Sequence, residues 1–464
     1  MAIVSLPFLI LSLAALAGYH LLPRRWRNLW LLAASYGFLF TFGWSYALAL
    51  AALTGFNYVL ALRLPVQKAW LWPALGLNLA SFGLLKFLSG PYGTVFANLL
   101  APGLAPGWTA ALLPVGFSFY ILQAISYLVD VSRGQLQPET RLIHFALYLA
   151  YFPKLLAGPI ERAKTFLPQL DSPRPLDSSG LGRGLGLILL GLLRKLVIAD
   201  HLAALRPAGL FTQPADFSPL TRASWIIIFA FTLYNDFAGY TSMVRGLSAW
   251  FGIELSPNFR QPFFASTVTD FWKRWHISLS SWLRDYLFYP LQRWMLQNRI
   301  PRGLVNLLTP LMTMLASGFW HGAYLSMLLW GGLHGLYLAL EQLLRLRPPV
   351  DSRWKLTAAT LLTLTLTTLA WIPFTAASTA SARFYLSGLW HLTGAIDLTL
   401  LPDFFLLTIF SLWLDRQEIS SAREDFFMVW SPSAQAWGLG AALFLLVLFL
   451  GSAANLAGFV YQGF

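Results

Sequence analysis

The chain has 464 residues, 57% of them hydrophobic, 11% charged and none cysteine. Soluble proteins carry about 25% charged residues, so an ordinary soluble domain is excluded, and without cysteine so are disulfides, thiolate metal sites and a cysteine nucleophile. The net charge of +13, from 32 Lys and Arg against 19 Asp and Glu, invites a nucleic-acid reading, but the cations cluster between apolar segments, where membrane topology explains them.

Mostly apolar stretches, most of them long enough to cross a hydrocarbon layer about 30 Å thick, recur along the whole length. They predict helical spans over 3–22, 29–43, 46–62, 69–88, 109–131, 142–157, 181–200, 222–238, 303–320, 324–344, 355–374, 400–414 and 434–451. Short helices or re-entrant pieces are expected over 239–252, 268–297 and 383–393. The fold class is therefore an all-α polytopic membrane protein of about 11–13 transmembrane or re-entrant helices. The first stretch has no basic region before it and ends in Pro23-Arg24-Arg25-Trp26-Arg27 rather than in small residues, so it reads as a retained helix and not a removable signal. Arg24, Arg25 and Arg27 follow the first span, the turn near Gly43 to Tyr46 has no cation, and Arg63 and Lys68 follow the third span. The connection over 89–108 is uncharged and rich in Gly and Pro, and Arg133 and Arg141 come next. That alternation places the N-terminus outside the cytoplasm.

The region 268–297 resists a lipid-facing position. It carries Asp270, Lys273, Arg274, Arg284 and Asp285, and at ~2.5–3.5 kcal/mol per charge at the bilayer centre the sum exceeds roughly 10 kcal/mol. Phe271, Trp275, Trp282, Tyr286 and Tyr289 recur at helical spacing as one apolar stripe opposite a charged face. Taken alone, that pattern also fits an amphipathic surface helix with aromatic anchors.

Seven histidines are present. His20 and His144 lie at span ends beside basic residues, His201 follows Arg194-Lys195 at a helix end, and His391 sits in a short connection, so these four read as interfacial. His276 lies within Asp270-Phe271-Trp272-Lys273-Arg274-Trp275-His276-Ile277-Ser278-Leu279-Ser280, and His321 within Gly318-Phe319-Trp320-His321-Gly322. Imidazole is the side chain best suited to moving a proton near neutral pH, and a histidine at a glycine-marked helix break has a reachable ring nitrogen. His334 lies mid-span among Gly331, Gly332 and Gly335, which let helices approach closely. It reads equally as a packing histidine and as a residue orienting a neighbour. Spacing alone leaves catalysis and packing both open for His321.

Other chemistries lack their motifs. There is no His-Glu-x-x-His, no Gly-x-Ser-x-Gly elbow and no phosphate loop. An internal repeat of the kind many transporters carry is not visible by eye. General-base acyl transfer inside the membrane survives best.

At these residues the sequence resembles the membrane-bound O-acyltransferase family, in particular its bacterial branch with the alginate O-acetylation membrane protein and the teichoic acid D-alanyl transfer protein. Pro114-Val115-Gly116-Phe117-Ser118-Phe119-Tyr120, with Gln123, Ser126-Tyr127 and Asp130, looks like an early signature. Phe152-Pro153-Lys154 with Ala157-Gly158-Pro159-Ile160-Glu161-Arg162 looks like a second, and Tyr234-Asn235-Asp236-Phe237-Ala238-Gly239-Tyr240 like a third. The Asp270 to Ser280 run and Trp320-His321-Gly322 are similar to the most diagnostic motifs, and five motifs in order are more specific than any one.

The resemblance implies a single integral membrane domain over 1–464, with N-terminal helices over 1–108, a motif-bearing core over 109–345 and C-terminal helices over 355–464. It further implies helices ringing a central tunnel, with His321 at its waist and His276 as a second functional histidine. The implied setting is the bacterial inner membrane. A thioester donor, acetyl coenzyme A or an acyl-carrier thioester, would enter from the cytoplasm, with no bound cofactor or metal. The acyl group would pass to a polysaccharide or cell-wall acceptor on the outer side, with the help of an extracytoplasmic acyltransferase partner; membrane lipids surround the chain, and no nucleic acid is involved. On this reading His321 is the general base and His276 orients the donor or donates to the oxyanion, with the division of labour open. Asp270, Lys273, Arg274, Trp275, Arg284, Trp320 and Asp236 are candidates for substrate binding, a structural ion-pair role being equally open for the charged ones, and His334 for support behind the site. The late Phe-Phe-Arg motif of the family is missing, since the corresponding stretch reads Trp371-Ile372-Pro373-Phe374-Thr375, and no role is carried onto it. A non-catalytic conduit for a lipid-linked or sugar substrate, and a scaffold recruiting a transferase, are the readings from other classes.

Overall fold

The computed structural model describes residues 2–90, 93, 113–207, 210, 213, 216–346, 352–376, 378–390 and 401–450. Every regular element among them is helical. Among the described residues, five stretches are long and apolar enough to cross a membrane, Trp44–Arg63, Lys68–Ser89, Arg302–His321, Arg353–Thr375 and Pro432–Phe449. The described residues fall into two compact units, one from Met1–Ile188 with Thr241–Ser256, the other from Leu189–Tyr240 with Pro257–Val460.

The first unit contains α1 (Leu6–Leu21), α2 (Arg24–Phe40), α3 (Trp44–Arg63), α4 (Leu71–Ser89), α5 (Phe117–Ser132), α6 (Leu142–Ala150), α7 (Ala163–Asp171) and most of α8 (Ser178–Leu192). Helix α2 packs on α1, α3 and α6, and α5 on α4. In hydrocarbon, apolar surface alone gives neighbouring helices little reason to associate, so polar contacts matter more. Buried Asn57 and Asn78 on α3 and α4 exchange side-chain amide hydrogen bonds of 3.3 and 2.8 Å.

The span expected over 142–157 is helical only to Ala150. Pro153 interrupts it, since its ring clashes with the carbonyl four residues earlier, and the irregular backbone over 151–161 is wholly buried in protein, the condition for loops at membrane depth. Ser35 of α2 accepts from the Phe152 amide at 3.1 Å. Lys154 donates to the Gln123 side-chain oxygen and to the Tyr148 carbonyl, the latter at 2.6 Å. The Glu161 carboxylate accepts from the Ser256 amide at 2.6 Å and hydroxyl at 3.1 Å. Gly116, at φ +75°, abuts the Leu155 carbonyl oxygen where a Cβ would lie. The first two signatures thus meet as one packed motif.

The second unit begins with the end of α8, which widens into a π-helical turn, Leu193–Ala199, and ends as α9 (Asp200–Ala204). Next comes α10 (Pro219–Trp250), which belongs to this unit as far as Tyr240 and is a single 32-residue helix where two pieces, 222–238 and 239–252, are expected from sequence. Gly239 does not break it. Its missing side chain instead admits the Gly191 carbonyl, 2.7 Å from where a Cβ would sit. The region 268–297 is α11 (Val268–Arg274), α12 (Ile277–Leu283), a π-helical turn over Arg284–Phe288 and α13 (Tyr289–Gln297). One continuous aromatic stripe is therefore not formed, because the helix is interrupted by an extended Trp275 and a left-handed His276.

Helices α14 (Arg302–His321) and α15 (Leu325–Leu343) form a tight hairpin, with Gly318 against the Met327 carbonyl and Gly331 against that of Met314. Gly335 also lies at close approach, 2.7 Å from Leu311 Cα to a built Cβ, whereas Gly332 has only ordinary contact at 3.8 Å. Then come α16 (Arg353–Thr375), α17 (Thr379–Ser387), α18 (Leu401–Ser421) and α19 (Pro432–Leu450). The beginning of the span expected at 109, the end of the piece expected at 393, and His391 lie outside the described residues.

Candidate functional site

The second unit brings three histidines into one aromatic nest. His321 is the last residue of α14, where extended Gly322 ends the helix. His276 stands in the turn between α11 and α12 with φ +43° and ψ +53°. The Trp320 ring touches both imidazoles, its centroid 4.7 Å from that of His321 and 5.9 Å from that of His276. Phe237 closes the other side of His276 at 4.8 Å. Trp330 lies 5.0 Å from His321 and 5.1 Å from His334, so one indole separates those two rings. His276, His321 and His334 are 1%, 3% and 0% exposed.

Side chains distant in sequence hold the turn that carries His276. Thr267 and Glu341 cap α11, Thr267 Oγ1 accepting from the Asp270 amide at 3.0 Å and the Glu341 carboxylate from the Thr269 amide at 2.9 Å. The Ile277 amide donates to the Asn258 carbonyl at 2.8 Å, and the Ser278 hydroxyl to Asn258 Oδ1 at 2.6 Å. Trp275 is buried against Phe271, Phe259 and Trp371, at centroid separations of 5.4, 5.1 and 5.0 Å.

The charged candidates are placed differently. Asp270 and Arg274 pair with each other one helical turn apart at 3.0 Å, both partly exposed. Lys273 is exposed, and Arg284 pairs with neighbouring Asp285 at 2.9 Å with half its side chain exposed. Asp236 is buried and bonded at 2.8 Å to Lys195, which also holds Asp200 at 2.7 Å. Beside it, Arg194 pairs with Asp415 at 2.7 Å and Glu418 at 2.9 Å and donates to Asn235 at 3.1 Å. Burying such charges costs several kcal/mol each unless they are paired. The third signature thus pairs Lys195 of the π-helical turn through Asp236 and accepts a hydrogen bond from Arg194 through Asn235, while Asp415 and Glu418 balance the charge of Arg194. The residue after Asp236, Phe237, is the one that reaches His276.

The other described histidines have partners of their own. His20 Nε2 is 2.9 Å from the Trp250 carbonyl, His144 Nε2 is 3.0 Å from the Asn28 amide nitrogen, and His201 Nδ1 is 2.8 Å from the Leu196 carbonyl. Among the described residues no three of His, Asp and Glu converge as a metal centre would need.

Trp330, Trp371 and Phe374 are residues the sequence does not mark as part of the site. Phe374 packs on His321 at 5.2 Å, and Trp371 stacks on Trp330 at 5.8 Å. Both lie in the stretch onto which the resemblance carries no role. Trp330 has one usable signal, its position one helical turn before His334. The nest can take a proton at an imidazole while its indoles keep water away.

Residues 132–361 match the membrane-bound O-acyltransferase family. A probable alginate O-acetylase of Pseudomonas putida is 38% identical over 352 residues, covering 73% of this chain and 70% of that protein. A probable alginate O-acetylase of Azotobacter vinelandii is 37% identical, covering 73% of this chain and 68% of that one. A peptidoglycan O-acetyltransferase of Helicobacter pylori is 31% identical over 424 residues, covering 81% and 77%.

Proposed function

This chain belongs to the membrane-bound O-acyltransferase family, and on that premise we propose that it moves an acetyl group from a thioester donor to a hydroxyl of a cell-envelope or exopolysaccharide acceptor. It is a multi-pass membrane enzyme, so the conduit and scaffold readings give way. The relatives named for acetylation of alginate and of peptidoglycan support the acetyl group and the polymer acceptor. The donor is acetyl coenzyme A or an acyl-carrier thioester reaching the site from the cytoplasm. An extracytoplasmic transferase completes delivery to polymer, the N-terminus lying on that outer side by the alternation of Lys and Arg.

The observation that carries the mechanism is the contact of Trp320 with both His276 and His321, two histidines far apart in the chain. In the proposed step the acceptor oxygen attacks the thioester carbonyl carbon. A C–O bond forms, the C–S bond breaks, and His321 takes the hydroxyl proton and returns it to the departing sulfur as a thiol. His276 donates to the oxygen that gains charge, or orients the donor. A general base contributes about 10²–10⁴-fold, and a positioned donor to an oxyanion about 10²–10³-fold. Trp275, Trp320 and His334 shape and support the nest, while Lys273, Arg274 and Arg284 steer the anionic donor, Asp270 organises the site by holding Arg274, and Asp236 anchors the helix that bears Phe237.

Membranes carrying His321→Ala or His276→Ala at protein levels equal to the unaltered chain test this through transfer of labelled acetyl. Each replacement is expected to lower transfer by about 100-fold or more. Transfer by His321→Ala within about twofold of the unaltered chain would remove its role as base.

A further inference from the structure

We propose that Asn258 is a positioning residue for His276, a role that rests on the assignment of His276 to the acyl-transfer site. His276 stands at the head of α12, the place where Ser, Thr, Asp or Asn normally turns its side chain back onto the first amides of the helix. The His276 side chain makes no such bond. Its φ of +43° is in the left-handed region, where a side chain other than glycine is strained and persists only if its surroundings hold it.

Asn258 supplies both missing functions from a remote point in the chain. Its carbonyl accepts the Ile277 amide at 2.8 Å, and its Oδ1 accepts the Ser278 amide at 3.3 Å and the Ser278 hydroxyl at 2.6 Å. The Arg260 amide donates to the Arg274 carbonyl at 2.9 Å, a second rung between the same two segments. Next to Asn258, Phe259 packs edge-on to Trp275 at 5.1 Å and to Phe237 at 5.2 Å. Asn258 is fully buried and Ser278 nearly so. With the helix capped from outside, the imidazole is released from capping and directed at Phe237 and Trp320. Asn258 thus acts on the reaction through the placement of His276 and not through contact with substrate.

The test measures kcat and donor KM for thiol release by purified full-length protein, with Asn258→Ala, Asn258→Asp, Ser278→Ala, His276→Ala and the pair Asn258→Ala with His276→Ala. A misplaced group loses about 10–100-fold in rate, so Asn258→Ala should lower kcat by that much with donor KM within about twofold. Asn258→Asp keeps the Oδ1 acceptor and should recover to within about threefold of the unaltered rate. The paired variant should be no slower than His276→Ala alone, because residues acting as a unit are not additive. Losses that multiply, or a raised KM at unchanged kcat, overturn the proposal. If Asn258→Ala does not fold, Ser278→Ala is decisive: it should lower kcat by about threefold or more only while His276 is present, and an unchanged kcat overturns the proposal. If His276→Ala itself keeps full activity, the role of His276 fails first and the positioning role with it. Full loss in His276→Ala with an unaffected Asn258→Ala removes the positioning role alone.

Discussion

A histidine closed in by aromatic rings is shut off from bulk water, and its neighbours set what it can reach. That is the condition of His276 and His321, and it is why their neighbours matter more than their number. The motifs around these two histidines are readable in the sequence, since a charged run and a glycine-marked helix end both resist a lipid-facing position. Of the indoles around them, Trp320 is readable with its motif and Trp330 only from its place one helical turn before His334, whereas nothing local separates Trp371, which stacks on Trp330, from a tryptophan facing lipid. Asp236 illustrates the converse, a motif residue that folds onto a cation rather than into the histidine nest. Lys195 holds both Asp236 and Asp200, so Lys195→Met takes from both carboxylates the cation they share. A loss of about 3–5 kcal/mol is expected, as for one partner removed from a buried pair, read as a lower melting temperature in detergent. Adding Asp236→Asn should recover part of it.

Helix identities follow from hydropathy, whereas helix ends follow from contacts. Gly239 reads as a break but serves a close approach inside α10, and the span expected over 142–157 stops at Ala150 because its remaining residues form the buried segment around Lys154. A composition rule cannot see that the charge of Lys154 is met by Gln123 and the Tyr148 carbonyl. Gly116 is an element boundary that tolerates little change. Its positive φ and its contact with the Leu155 carbonyl both exclude a Cβ, so Gly116→Ala should destabilise by more than about 1 kcal/mol. Gly55, inside α3 with nothing within 4 Å of a built Cβ, is the control. Gly55→Ala should be neutral or slightly stabilising, since alanine favours helix by up to about 1 kcal/mol over glycine. Thermal unfolding of the two variants side by side distinguishes the positions.

For the chain as a whole, low charge and long apolar segments define a membrane protein, and the few ion pairs outside the spans fasten its connections. The Arg141 guanidinium bonds to Asp171 at 2.9 Å, tying the start of α6 to the end of α7, and this hydrogen bond holds the Asp171 carboxyl below its ordinary value. A carboxyl depressed on folding stabilises above its unfolded pKa and loses that contribution as pH falls through the folded value, here below about 4. Arg141→Gln should flatten the fall of melting temperature between about pH 5 and pH 3, and an unchanged pH dependence would dismiss the tie. Two histidine motifs meeting as one acyl-transfer site is the claim on which the functional reading stands. Single-turnover transfer of labelled acetyl by His321→Ala, His276→Ala and the double variant tests it most directly. Each single variant should lose about 100-fold or more, and the double little beyond the slower single, as for groups acting together. Transfer by His321→Ala at the unaltered rate, or a double variant whose losses multiply, would contradict it.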